Sequence, residues 1–267
     1  PVYTTEDVEA TIPHFAATPY FWHTQQWTRI NDRIRFKLYD AGHILGSSIV
    51  LLEVTEDGKV QTLAFTGDLG HKNTPMLRDP ETIQEPVDTL LSECTYGNRN
   101  HKSAEEAKAE LITIINDAFK YKSKIIVPAF SLGRTQELIY ILHQLTDSGK
   151  IPRLPIYIDS PLAANMTEVF GKHTEEFDQE TWHDFSKEGE IPLTFRNLMY
   201  THSVEDSKRL NDASGPFMII SASGMCESGR ILHHLRNNCH DEHADNYVCI
   251  VISHDVFSYL VHGKRIP

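Results

Sequence analysis

The sequence predicts an α/β protein in two parts, a strand-rich antiparallel N-terminal part and a C-terminal part in which helices alternate with the strands of a parallel sheet. Three observations predict it. Apolar residues recur with period two between residues 33 and 68, a capping box at Ser103 opens a run with helical spacing, and strand-like and helical runs then take turns. A length of 267 residues accommodates two domains, or one large α/β unit with an insertion.

In the first part, Ile34, Phe36 and Leu38 alternate with Arg33, Arg35 and Lys37, and the run Ile49-Val50-Leu51-Leu52 follows. The Glu56-Asp57-Gly58 turn then joins that run to Thr62-Leu63-Ala64-Phe65, the pattern of an antiparallel hairpin, which ends at Thr66-Gly67-Asp68. A further apolar run, Val87 to Leu91, ends at Ser92-Glu93-Cys94-Thr95-Tyr96-Gly97.

Ser103 with Glu106 forms a capping box, after which Ala107, Leu111, Ile114, Ile115 and Ala118 mark the buried side of a helix. Strands are expected at Lys124 to Val127, Ile156 to Ile158, Phe217 to Ile220 and Tyr247 to Ile252. Helices are expected at Thr135 to Leu145, Ala163 to Phe170 and Arg230 to Arg236. The polar stretch His173 to Glu190 reads as a loose segment or lid, and no internal repeat is found.

Composition narrows the function classes. With 40% hydrophobic and 23% charged residues, collagen-like and disordered readings drop out. Acidic residues exceed basic ones by 37 − 25 = 12, which disfavours broad attraction to nucleic acid or anionic membrane, so any phosphate must be held locally. No stretch reaches the about 20 apolar residues of a membrane span, and the opening residues lack the order of a signal peptide; no membrane partner and a cytoplasmic location are expected.

Cysteines at 94, 226, 239 and 249 form no C-x-x-C pair, so free, buried thiols are expected. Fifteen histidines invite a metal reading without deciding it. A chain running from Pro1 to Arg265-Ile266-Pro267 reads as a fragment or a processed form.

Three strands end in small-residue, hydroxyl-bearing loops: Ser131-Leu132-Gly133-Arg134, Asp159-Ser160-Pro161 and Ser221-Ala222-Ser223-Gly224. In a parallel sheet, ligands sit beyond the carboxyl ends of the strands, where helix N-termini present unpaired N–H groups. Ser131, Ser160 and Ser223 can donate to a phosphate, and Arg134 can pair with it bidentately. The alternative is that these hydroxyls only cap helices. In the antiparallel part, Asp40-Ala41-Gly42-His43-Ile44-Leu45-Gly46-Ser47 and Phe65-Thr66-Gly67-Asp68-Leu69-Gly70 each set a metal-competent side chain among small residues at a strand end, although caps and turns use the same residues.

Taken in order, His43-Ile44-Leu45-Gly46-Ser47, Thr66-Gly67-Asp68, Ser92-Glu93-Cys94-Thr95-Tyr96-Gly97, Pro128 to Glu137, Asp159-Ser160-Pro161-Leu162-Ala163 and Ser221-Ala222-Ser223-Gly224-Met225 resemble the metallo-β-lactamase/β-CASP family of RNA-processing nucleases, which includes the pre-mRNA 3′-end cleavage subunit and its bacterial and archaeal relatives. The resemblance runs from about Pro1 to Ile252. It implies a partial metallo-β-lactamase αββα sandwich over residues 1–97, an inserted parallel-sheet β-CASP domain over 98–252 and a divergent return segment over 253–267.

It also implies a two-zinc ribonuclease in which the metals lower the pKa of a shared water and stabilise an in-line displacement at phosphorus. By similarity, His43 is a ligand to one zinc, Asp68 bridges both and acts in catalysis, and Glu93 orients a histidine that protonates the leaving oxygen. Ser131, Arg134, Ser160 and Ser223 would hold the RNA backbone in the cleft between the domains. RNA is the expected partner, and a homodimer is admitted.

Departures qualify what the resemblance implies. The family's His-x-His-x-Asp-His cluster has no counterpart here. His240-Asp241-Glu242-His243-Ala244-Asp245 has the letters in another spacing and reads as a solvated loop, and His262-Gly263 matches a later histidine motif only superficially. His233 and His234 read as one surface and one packing residue. Two candidate ligands cannot hold two ions. The expectation is therefore a copy incomplete at both ends and inactive alone, with a non-catalytic RNA-binding or scaffold subunit as the alternative. A nucleotide-binding domain lacks both G-x-G-x-x-G after a first strand and a P-loop, and a small-molecule hydrolase would leave the βα insertion unassigned.

Overall fold

The computed structural model describes residues 2–98, 103–188, 193–239 and 247–249. The stretch 240–245, His262-Gly263, the return segment 253–267 and the part of the last expected strand beyond residue 249 lie outside them, as do the side chains of Cys239 and Cys249. The chain divides into two compact units, residues 1–70 with 79–94 and residues 71–78 with 95–267. Among the described residues no helix is long and apolar enough to cross a membrane.

The first unit opens with α1 (Thr5–Thr11), capped reciprocally by Thr4 and Asp7, and the short α2 (Phe21–Thr24). Its sheet comprises β1 (Thr28–Arg29), β2 (Ile34–Asp40), β3 (Ser48–Glu56), β4 (Lys59–Phe65) and β5 (Thr89–Leu91), ordered as numbered. β1 to β4 pair antiparallel and β5 joins β4 in parallel. The hairpin expected between β3 and β4 forms with Glu56 opposite Lys59. Its two turn residues, Asp57 at φ 50° and Gly58 at φ 74°, both take the left-handed conformation that matches the twist of the strands.

This sheet is apolar on both faces. Tyr39, Ile49, Leu51 and Ala64 are buried beneath Phe21, Trp27, Leu69, Ile83 and Val87. The alternate positions Phe36, Leu38, Val50 and Leu52 are only half-buried, and Phe65 is 52% exposed. The better-covered face is the one carrying Lys37, which the alternation with Ile34, Phe36 and Leu38 marks as polar. Cover decides the matter: Lys37 Nζ lies 3.9 Å from the centroid of Phe21 and 4.6 Å from that of Trp27, and its charge is met by Glu85. Burial pushes the Glu85 carboxyl up, but hydrogen bonds from Lys37 and Tyr39 outweigh it and hold the group below its usual value.

The second unit contains α3 (Ala104–Lys120), β6 (Lys124–Pro128), α4 (Arg134–Asp147), β7 (Ile156–Ile158), α5 (Pro161–Lys172), α6 (Gln179–Glu188), β8 (Leu198–Tyr200), α7 (Val204–Asp212), β9 (Phe217–Ser221), α8 (Ile231–Cys239) and β10 (Tyr247–Cys249). The capping box of Ser103 and Glu106 opens α3, which buries Ala107, Leu111, Ile115 and Ala118. The sheet runs β10-β6-β9-β7-β8, and every pairing in it is parallel. β9 is buried along its whole length and β6 over residues 125–128, as strands covered on both faces must be.

Three expectations need correction. Residues 173–188 are not a loose segment or lid. A 3₁₀ turn at Thr174–Glu176 leads into α6, Leu77 bridges Phe177, Asp178 N donates to Met76 O at 2.9 Å, and Phe177 is buried against Phe170. Asp178 Oδ1 accepts from Thr181 N at 2.6 Å, which starts the helix. β8 and α7 fill the stretch in which no element was expected; a capping box of Ser203 and Asp206 announces α7. Of the thiols, Cys94 and Cys226 are free as expected, but Cys94 is exposed and Cys226 half-buried.

Candidate functional site

In the first unit, three strand-end loops are stitched together. After β2, Gly42 N donates to Asp40 Oδ1 at 2.7 Å, and Ser47 Oγ accepts from His43 N at 3.1 Å and Ile44 N at 3.2 Å. Tyr20 Oη donates to Ser47 O at 2.9 Å. Both the carbonyl and the amide of Asp40 are held, Glu81 N donating to Asp40 O at 2.9 Å and Asp40 N to Glu81 Oε2 at 2.7 Å. The His43 loop is thereby fixed by its own backbone donors.

The loop after β4 lies directly on it. Gly70 N donates to Ala41 O at 2.8 Å, and a Cβ on Gly70 would stand 1.8 Å from Gly42 O and 2.7 Å from His43 N. Only glycine permits that approach. The loop after β5 is tied in by Glu93, whose Oε1 accepts from Leu69 N at 3.0 Å and whose N donates to Thr66 Oγ1 at 3.3 Å. The loops carrying His43, Asp68 and Glu93 are thus adjacent, with His43 half-buried and Asp68 and Glu93 exposed.

Among the described residues no group of three or more His, Cys, Asp or Glu side chains is placed to hold a metal ion. A catalytic zinc takes about three protein ligands, and a pair of ions takes more. His43 and Asp68 therefore do not by themselves fit a two-zinc centre.

In the second unit, the parallel pairing puts the carboxyl ends of β6, β7, β8 and β9 on one edge. Ser131 Oγ and Ser160 Oγ approach to 3.1 Å there. The buried Gln136 holds the two loops together: its Nε2 donates to Ser131 O at 3.1 Å, to Ala163 O at 3.3 Å and to Thr167 Oγ1 at 3.0 Å. Ser160 also caps α5, its Oγ accepting from Ala163 N at 3.2 Å, so the capping role anticipated as an alternative is present in this loop. Arg134 pairs with Glu137 at 2.5 Å on its own helix. Ser223 lies on the loop after β9 and accepts from Glu227 N at 3.3 Å, with α8 beginning only at Ile231.

The strongest electrostatic feature of this edge is a residue to which the sequence reading gave no role. Asp159 directly follows β7 with its side chain fully buried, and its carboxylate accepts from Thr201 Oγ1, from Ser207 Oγ at 2.5 Å and from Arg230 NH1 at 2.6 Å. His234 Nε2 lies 2.6 Å from Asp159 Oδ2, and its Nδ1 lies 2.9 Å from Asn211 Oδ1. Ser221 Oγ donates to the Asp159 carbonyl at 2.9 Å. Burial raises the Asp159 pKa, but the hydrogen bonds from His234, Ser207, Thr201 and Arg230 prevail and hold the carboxyl well below the usual range. His233 is exposed and His234 fully buried, the surface and packing pair expected, but the buried member also ties α8 to the end of β7. The one sequence signal for this cluster is the four-residue spacing of Arg230 and His234, which brackets the first turn of α8, where His234 N donates to Arg230 O at 3.2 Å.

Comparison with known proteins places these observations. Residues 135–252 match the Beta-Casp domain. The chain is 33% identical to ribonuclease TTHA0252 of Thermus thermophilus over 241 residues, covering 90% of this chain and 53% of the relative. It is 30% identical to an RNase J-like protein of Methanocaldococcus jannaschii over 88% of this chain and 52% of the relative. It is 28% identical to the transcription termination factor FttA of that organism over 90% of this chain and 37% of the relative. The chain thus spans about half the length of the two ribonuclease-named relatives and less of the termination factor.

Proposed function

We propose that the chain, which matches the Beta-Casp domain over residues 135–252, is a member of the metallo-β-lactamase/β-CASP family that acts on RNA, its β-CASP edge holding the phosphodiester backbone of a single strand. The observation that carries the proposal is the convergence of Ser131 and Ser160, 3.1 Å apart, with the Ser223 loop on the same edge of a wholly parallel sheet. That edge is where such sheets bind anions. Ribonuclease-named and RNase J-named relatives over nine-tenths of the chain support RNA as the ligand.

We further propose that His43 and Asp68 are two ligands of a zinc centre, that Glu93 acts beside it, and that this 267-residue chain alone binds RNA without cleaving it. The shortage of ligands among the described residues favours that last point, and equally favours a second reading, a non-catalytic RNA-binding subunit. Binding is tested by fluorescence anisotropy of a labelled single-stranded oligoribonucleotide with the 267-residue chain at increasing salt. Salt-dependent binding weakened by Ser131→Ala and Ser160→Ala is expected, and Arg134→Ala should lower the salt slope. No binding at low salt, or binding indifferent to all three changes, defeats the RNA reading. Bound zinc that is lost in His43→Ala separates the metalloenzyme lineage from the scaffold reading, while zinc-dependent RNA cleavage by this chain defeats the claim of inactivity.

A further inference from the structure

The convergence of four donors on one buried carboxylate at the proposed RNA edge calls for a role beyond packing. We propose that Asp159 is a positioning residue that presents Arg230 to a phosphate of the bound strand; this rests on the RNA reading above. Arg230 precedes α8, and its NH1 donates to Asp159 Oδ1 at 2.6 Å and lies 3.4 Å from Thr201 Oγ1. Its Nε and second amino group have no protein partner among the described residues, and the side chain is 23% exposed. Arg230 therefore keeps an open pair of parallel N–H donors, which is the geometry that a phosphate accepts bidentately. Arg134 differs, since Glu137 meets it from one turn along the same helix.

The carboxylate can do this because it is itself held. Ser207 at 2.5 Å and His234 at 2.6 Å fix Oδ2, while Oδ1 faces Arg230 and Thr201. Asp159 adjoins Ser160, and Ile231 N donates to Ala222 O at 3.1 Å, so Arg230 stands beside the loops of Ser160 and Ser223. On a chain with twelve more acidic than basic residues, an aimed arginine supplies what general charge does not.

The test rests on opposite signs. Removing a carboxylate near an RNA phosphate strengthens binding if only charge matters, and weakens it if the carboxylate aims the arginine. RNA affinity and its salt slope are measured on the 267-residue chain, Arg230→Gln, Arg230→Lys and Asp159→Asn, each first checked for an intact thermal transition. Arg230→Gln is expected to weaken binding roughly tenfold, the scale of one charge-assisted contact. It should also lower the salt slope by about 0.7, one phosphate on a single strand. Arg230→Lys should restore the slope but not the affinity. Asp159→Asn should weaken binding several-fold.

Asp159→Asn binding as tightly as the unaltered chain or tighter overturns the proposal, as does an unchanged slope in Arg230→Gln. Should Asp159→Asn fail to fold, Thr201→Val carries the test: it loosens Asp159 without altering charge, and an affinity loss of two- to threefold is expected, equal affinity overturning the proposal. An unaltered chain that does not bind RNA is a different result, since it defeats the RNA reading itself.

Discussion

Replacing Gly70 by alanine tests whether the His43 and Asp68 loops are built against each other as described. The new Cβ would lie 1.8 Å from Gly42 O, 2.2 Å from Gly42 C and 2.7 Å from His43 N, all backbone atoms that no side-chain rotation can move aside. Relief requires the loop after β2 to separate from the loop after β4, breaking the 2.8 Å bond from Gly70 N to Ala41 O and disturbing the Ala41–Ser47 turn. Overpacking with loss of a buried hydrogen bond costs about 3 kcal/mol or more. At about 2–4 °C per kcal/mol for a chain of this size, the melting temperature should fall by about 6–12 °C. Gly46→Ala is the control: Gly46 sits at φ 88° with nothing within 4 Å of its Cβ position, so only the left-handed conformation costs, about 1 kcal/mol. Thermal unfolding followed by circular dichroism decides. A Gly70→Ala variant that melts within about 2 °C of the unaltered chain, or no lower than Gly46→Ala, would refute the close approach of the two loops.

Three further outcomes are expected. Because the folded-state pKa of Asp159 is depressed, its contribution to stability is complete above the unfolded value of about 4 and is lost as pH falls below it. Urea midpoints between pH 5 and pH 2.5 should therefore drop more steeply for the unaltered chain than for Asp159→Asn. Glu85→Ala strands Lys37 against Phe21 and Trp27 and should cost about 2–3 kcal/mol, with Lys37→Met restoring much of the loss in the double variant by urea denaturation. Leu51→Ala, at a side chain with no exposure, should cost about 2–5 kcal/mol, whereas Phe65→Ala should cost less despite deleting a larger side chain, since Phe65 is 52% exposed; equal losses would contradict the two-faced description of the first sheet.

Local signals carried the elements that were foreseen. The Asp57-Gly58 turn, the capping box of Ser103 and Glu106 and the strand Ile156–Ile158 appear where the sequence puts them, because each depends on residues within a few positions of one another. Where polar residues masked a buried anchor, the reading failed. Residues 173–188 contain enough charge to look loose, yet Phe177 and Asp178 fasten them to residues 76–77, and no periodicity betrays a bridge between segments a hundred residues apart.

The candidate site divides in the same way. Ser131, Ser160 and Ser223 are visible in the sequence because each follows a strand, and parallel topology then puts them on one edge. Asp159, Thr201, Ser207, Arg230 and His234 span 75 positions and share no motif. Strand and helix identity, turn chemistry and the family resemblance are therefore properties of the sequence, since short-range sterics and ordered motifs encode them. Which face of the first sheet is covered, which serine meets which, and that a single carboxylate gathers four donors were decided by tertiary structure, because burial and hydrogen-bond partnership exist only once distant segments share a volume.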